Sequence, residues 1–355
     1  MARPYALLRA GFPYLKTLGT LVISNFPTDV AVTGDMRVFV LRRFLNLGGM
    51  ITKLSWEDEH LGHIQQSFVP GGVGGTGAAS KLPTADDRKI LWPAALILDG
   101  DENLVLSDEA RHRITFLTQD GDIIEQWGEH GDGPGQMDRP SGIAFDPEWN
   151  LYVVDAQNHR VQRFTKDGKF MTAWGSRGDG PGEFDMPWGI HVDELGDVYV
   201  VDWHNDRVQK FTAEGEFLFE FGSSGSGDGE FNRPAGIAVD GDGDIYVADD
   251  GNNRVQLFNA EGRYVEKFLG DAVMSKSGRI YMLSNARELR MREMSNAPDD
   301  EKRFWGPRSV RVDGEGRMFV ADYRCSRVQI YQKDAISLDE SQIWAPVRAP
   351  SLLMP

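Results

Sequence analysis

Seven histidines, one cysteine and a set of tryptophans, tyrosines and arginines carry whatever chemistry this 355-residue chain performs. The histidines are His60, His63, His112, His130, His159, His191 and His204. A zinc site needs three or four such side chains to converge. Nucleophilic catalysis needs a serine or cysteine beside a base, and no Ser-His-Asp or Cys-His arrangement has a signature here. Cys325 stands alone, so no intramolecular disulfide forms and a reducing compartment is expected. Trp188, Trp203, Tyr323, Arg308 and Arg324 belong to another chemistry, since aromatic rings and guanidiniums suit a ligand with a flat or anionic portion. Three glycine-rich loops, Gly128–Gly135, Gly175–Gly182 and Gly222–Gly229, superficially match phosphate cradles. Each is followed by a strand pattern rather than a helix, so no nucleotide cofactor is expected.

What positions these residues is an internal repeat. Pro140-Ser-Gly-Ile-Ala-Phe-Asp146, Pro187-Trp-Gly-Ile-His-Val-Asp193 and Pro234-Ala-Gly-Ile-Ala-Val-Asp240 recur every 47 residues without a gap. Each continues into a second strand ending in Asp155, Asp202 or Asp249, then a third beginning Arg160-Val-Gln, Arg207-Val-Gln or Arg254-Val-Gln. Weaker copies start at Pro93 and Pro307, and a diverged one at Pro27. Four short β-branched and aromatic runs per unit read as an antiparallel meander, and a meander repeated at this period reads as a propeller blade. The strand-d ending Trp127-Gly128, Trp174-Gly175 or Phe221-Gly222 is missing after Tyr331. Its form reappears as Tyr14-Leu-Lys-Thr-Leu18-Gly19, so residues 13–19 are expected to close the last blade and leave no sheet edge free.

These motifs resemble the NHL repeat, whose signature is a Pro-x-Gly-Ile-Ala-Val-Asp strand and an Asp-x-x-Asn-x-Arg-Val-Gln turn. The resemblance covers about residues 13–331. It implies an all-β fold over residues 1–355, a single six-bladed propeller of four-stranded blades. Residues 271–301 interrupt the period. Ser284 to Met294 is compatible with a helix capped by Ser284 or Asn285, which gives a helical insertion before the last blade. Val273 to Leu283 is readable instead as a degenerate hairpin, and seven blades are the alternative. The loop Gly71-Gly-Val-Gly-Gly75 reads as a mobile excursion.

The Asp-x-x-Asn-x-Arg turn recurs in blade after blade and is therefore scaffold: the Asp accepts from the guanidinium, and Asn suits a left-handed turn position. Glu109, next to Asp108, lies outside that pair and is expected to matter little for stability. Function is sought where repeats disagree. Strand direction places the b–c turns and d–a crossovers on one face, and there Trp188, Trp203, His204, Arg308, Tyr323 and Arg324 replace small or amide side chains. Blade 1 adds Asp29 and Arg43, and blade 2 adds Glu109 and Arg111. The expectation is a pocket at the mouth of that face, binding a small molecule or a peptide.

The alternative is a lyase or hydrolase. Among relatives of the NHL family, the peptide-amidating lyases hold zinc on histidines near the axis and add a Tyr and an Arg. The resemblance implies Tyr323, Arg324 and His204 as catalytic candidates, with His130, His159 and His204 as metal ligands converging from loops. Only His191 lies on an innermost strand, where one imidazole reads as packing or a single hydrogen-bonding group. A divalent metal, zinc or calcium, is the one cofactor left open. The net charge of −16 argues against nucleic acid, whose affinity comes from clustered Lys and Arg, and so against the RNA-binding NHL domains. Broken apolar runs near Pro4, Gly11 and Pro13 leave no leader or membrane span, so a cytoplasmic monomer is expected.

Overall fold

Each proline-initiated unit folds into a four-stranded antiparallel sheet, and six such sheets form the ring. The computed structural model describes residues 6–20, 24–44, 48–64, 90–284 and 301–338. Strand a, innermost, begins at the repeat proline: Pro27–Val32, Pro93–Leu98, Pro140–Phe145, Pro187–Val192, Pro234–Val239 and Pro307–Val312 in blades 1 to 6. Strand b follows and is buried end to end in Leu151–Asp155, Val198–Asp202 and Ile245–Asp249, which explains its continuous apolar run.

Adjacent blades share their cores. Blades 3 and 4 pack Tyr152, Val154 and Val161 against Ile190, Val200 and Phe211. The strand-d aromatic locks the next blade through a glycine. A Cβ on Gly168 would lie 2.6 Å from the Trp127 ring, and one on Gly215 2.5 Å from that of Trp174. Both turns also need positive φ, at 76° and 89°. On the inner strands, a Cβ on Gly142 or Gly189 would meet the next blade's backbone at 2.5 and 2.3 Å. The Pro-x-Gly-Ile glycine is thus a close approach between neighbouring strands.

Ring closure follows the sequence. Tyr14–Leu18 is strand d of blade 6, pairing Tyr14 with Tyr331 and Leu18 with Val328. One feature has no counterpart in the repeats: Ala6–Gly11 pairs with Asp334–Leu338 as a separate two-stranded sheet. Lys333 anchors it to blade 5 by meeting Asp240, Asp242 and Asp244 at 2.7, 2.8 and 3.0 Å, while Arg9 pairs with Asp244.

The insertion contains a helix, as expected: Lys276–Ser284 is helical, so the degenerate hairpin over Val273 to Leu283 is not formed, and of the expected Ser284–Met294 run only Ser284 is among the described residues. Six blades result. Residues 285–300, like the glycine loop at 71–75, lie outside the described residues.

Candidate functional site

The face is built on the scaffold motif, now visible atom by atom. Arg160, Arg207, Arg254 and Arg327 donate from Nε to Asp155, Asp202, Asp249 and Asp322 at 2.8–3.0 Å. The guanidiniums then reach the crossover carbonyls, as Arg160 does at Asp132, Gly133 and Gln136. Burial raises these carboxyls above the ordinary range, against their hydrogen-bond partners. One detail differs from expectation. The left-handed residue is not the Asn but the one after it: His112, His159, Asp206, Asn253 and Ser326 have φ of 51–56°. Asn158, Asn205 and Asn252 instead donate to the Asp at 2.8–2.9 Å.

That left-handed residue explains two of the histidines. His112 and His159 accept at Nδ1 from the Arg139 and Met186 amides at 3.2 and 3.1 Å. Asp206 and Asn253 do the same for the Arg233 and Gly306 amides. Any short-range acceptor serves, so both imidazoles are clamps between blades.

The expected metal set does not converge. His130 joins His112 around Asp138, whose oxygens lie 3.5 Å from His112 Nδ1 and 3.6 Å from His130 Nε2. His159 and His204 instead share Asp185, at 3.6 and 3.4 Å, one blade further on. Among the described residues, His112, His130 and Asp138 form the one group whose ligand atoms lie within 4.8 Å of one another. Since the Arg139 amide occupies Nδ1 of His112, only its Nε2 is open to a cation. His191 is remote from both sets; burial and the Arg311 charge hold its imidazole down to about 3, so it is neutral at pH 7. Burial pushes the Cys325 thiol up to about 12, which removes it as a thiolate nucleophile.

Among the b–c turns and crossovers, arginines lie over aromatic rings, and two of them, Arg43 and Arg308, line the narrow cavity with Trp188. Arg43 stacks on Trp92, Arg233 on Trp203 and Arg308 on Tyr323, each 4.6 Å from the ring centre, and Arg324 lies 5.9 Å from Trp305. Trp188 packs on Trp203 at 6.1 Å, and the His204 ring stacks on Trp203 at 4.4 Å. Phe26 meets Tyr323 at 5.3 Å, joining the last blade to the first. Tyr323 and Arg324 are adjacent in blade 6, while His204 is in blade 4 with blade 5 between, so His204 does not join the other two catalytic candidates.

Two carboxylates hold part of this belt. Glu109, its side chain fully buried, bonds Arg43 on one side and Arg139 at 2.6 Å on the other. This overturns the expectation that Glu109 matters little for stability, because its buried carboxylate bridges two guanidiniums from the blades on either side. Asp250 lies 3.0 Å from Arg308 and is raised by burial, against the Arg308 and Arg324 charges. Among the described residues, no carboxylate comes within ion-pair distance of Arg233 or Arg324.

Asp29 lines one cavity with Arg43, Trp188 and Arg308, as expected, and is in addition tied to both neighbouring blades. It is 2% exposed, accepts from the Leu96 amide of blade 2 at 2.8 Å, and forms a two-pronged pair with Arg311 of blade 6. The cavity that Asp29 and Arg311 share with the mouth residues is narrow, about 40 Å³, and Arg311 also lines the larger cavity beyond it. Sequence reasoning missed Arg311, Asp250, Arg139 and Arg233. Arg311 was detectable, since it takes the strand-a slot of Ala144 and Ala238, and Asp250 occupies the same turn position as Trp203 and Tyr323.

Comparison with known proteins supports the architecture. The NHL repeat family model matches residues 137–164, 184–211 and 231–258. No curated protein matches in sequence. Virginiamycin B lyase from Staphylococcus aureus, solved as an inactive variant with quinupristin, has 15% identity and a TM-score of 0.53, covering 91% of this chain and 88% of that one. A protein of unknown function from Bacteroides thetaiotaomicron has 17% identity and a TM-score of 0.59, with 94% and 76% coverage. The Xanthomonas campestris gluconolactonase has 12% identity and a TM-score of 0.57, with 92% and 100% coverage. At these identities the likeness is one of fold.

Proposed function

The chain is an NHL-repeat β-propeller, and from that premise we propose that it binds an anionic small molecule or peptide segment across the mouth of its b–c face. The observation that carries this reading is the belt of arginines laid over aromatic rings, in a protein whose net charge is −16. A scaffold gains nothing from five guanidiniums gathered at one opening against the sign of the whole molecule. Arg43 and Arg139 share the single Glu109 carboxylate, and Arg308 faces Asp250. Arg233 and Arg324 are left for a ligand, each beside an indole. Guanidiniums in this setting favour carboxylate or phosphate.

Because the cavity that Asp29 and Arg311 line is narrow, the ligand lies over the mouth instead of entering it, with its flat portion against Trp188 and Trp203. Trp203→Ala and Arg324→Ala should each abolish binding with the fold intact, since neither side chain is part of a blade core. A second reading, a metal-dependent lyase or hydrolase, rests on the His112–His130–Asp138 group. Those residues would hold the metal, which would supply a polarised water or carbonyl.

A further inference from the structure

The opposite end of the channel is far roomier than the mouth. There the inner strands enclose a chamber of about 560 Å³, which shares Ile97, Leu98, Arg311 and Val312 with a neighbouring cavity of about 210 Å³. Residues of five blades line it, and Leu98, Phe145, Trp149, Val192 and Val312 give it a continuous apolar surface. This is the size and character of a small-molecule pocket.

Five ionisable side chains also line it: the carboxylates Asp146, Asp193 and Glu194, and, on the inner strands, His191 and Arg311. The strand-a slot that holds Ala31, Ile97, Ala144 and Ala238 in four blades holds His191 in blade 4 and Arg311 in blade 6. Arg311 directs Nε and one terminal nitrogen to Asp29, while its other terminal nitrogen has no hydrogen-bond partner among the described residues. His191 is kept neutral by burial and offers no competing charge. At the rim, Asp146 is occupied by Arg163 and Asn150, and Asp193 by its own turn amides and Tyr199. Glu194 is exposed there.

We propose that this chamber is a second binding site, for an apolar ligand carrying a single carboxylate. The carboxylate accepts from the unoccupied Arg311 terminal nitrogen, and the hydrocarbon body covers Leu98, Phe145, Val192 and Val312. The Asp29–Arg311 pair separates this site from the mouth, so it does not rest on the function proposed above.

The probes are decanoate, decan-1-ol and decylamine, three chains of one length differing in the head group, titrated calorimetrically into the full-length protein. Decanoate should bind once per chain, at least tenfold more tightly than either of the others. The double change Asp29→Asn/Arg311→Gln removes both charges together and leaves no ion buried alone; it should weaken decanoate at least tenfold and leave decan-1-ol unchanged. If that variant does not fold, Leu98→Trp narrows the chamber without touching the charges and should weaken decanoate and decan-1-ol alike. Trp203→Ala, at the far mouth, should change neither. The proposal is overturned by no decanoate binding at 1 mM, by equal affinity for the three heads, by decanoate binding that survives the double variant, or by its loss in Trp203→Ala.

Discussion

Removing the Glu109 carboxylate would leave Arg43 and Arg139 facing each other without the charge that separates them. Glu109→Ala should therefore cost about 3 kcal/mol, comparable to Asp202→Ala, which strands Arg207. Thermal melts of the two variants side by side check this; a Glu109→Ala melting temperature equal to the parent's would show the clamp to be energetically silent. His191 gives the pH dependence. Its folded value near 3 lies below the ordinary 6.5, through burial first and Arg311 second. The unfolded imidazole takes up a proton that the folded one refuses. This contribution to stability is full above about 6.5 and is lost as pH falls toward 3. His191→Ala should melt with a shallower pH dependence than the parent between those values, and parallel curves would contradict the assignment. The scaffold residues were legible because each occurs in several blades. The place of Asp29 at the mouth was legible from its repeat column, but its partner, a blade-6 arginine on the far side of the chain's closure, was not.

At the level of elements, blade boundaries could be read because three units align without gaps and their glycines are sterically obligatory. Closure by Tyr14–Leu18 was legible from the missing final strand. The clasp of Ala6–Gly11 with Asp334–Leu338 was not, since nothing in the other blades corresponds to it. The helical turns of Lys276–Ser284 were not read from the sequence because their apolar pattern is weak, whereas a helix in the same insertion was expected from Ser284 onward. Two truncations separate closure from clasp. Deleting residues 1–20 should expose the Arg327–Gln332 edge and promote aggregation, visible by light scattering. Deleting residues 1–10 removes Arg9 and its strand but keeps the closing strand, and should leave the protein as dispersed as its parent. Equal behaviour of the two truncations would contradict this division of roles.

The whole molecule is a six-bladed ring in which the Asp29–Arg311 pair lies between two cavities, with arginines laid over aromatic rings among the b–c turns of one face and a larger cavity at the other. The net charge of −16 draws cations to the surface in general, so arginines clustered at the b–c face stand out against it. The central claim is that the mouth selects an anion. Affinity selection of a metabolite extract on the immobilised protein, read by mass spectrometry beside Trp203→Ala and Arg324→Ala, tests it most directly. The account predicts at least one carboxylate- or phosphate-bearing ligand retained by the parent and lost from both variants, with melting temperatures unchanged. Retention of cationic or neutral ligands alone, or equal retention by all three proteins, would contradict it.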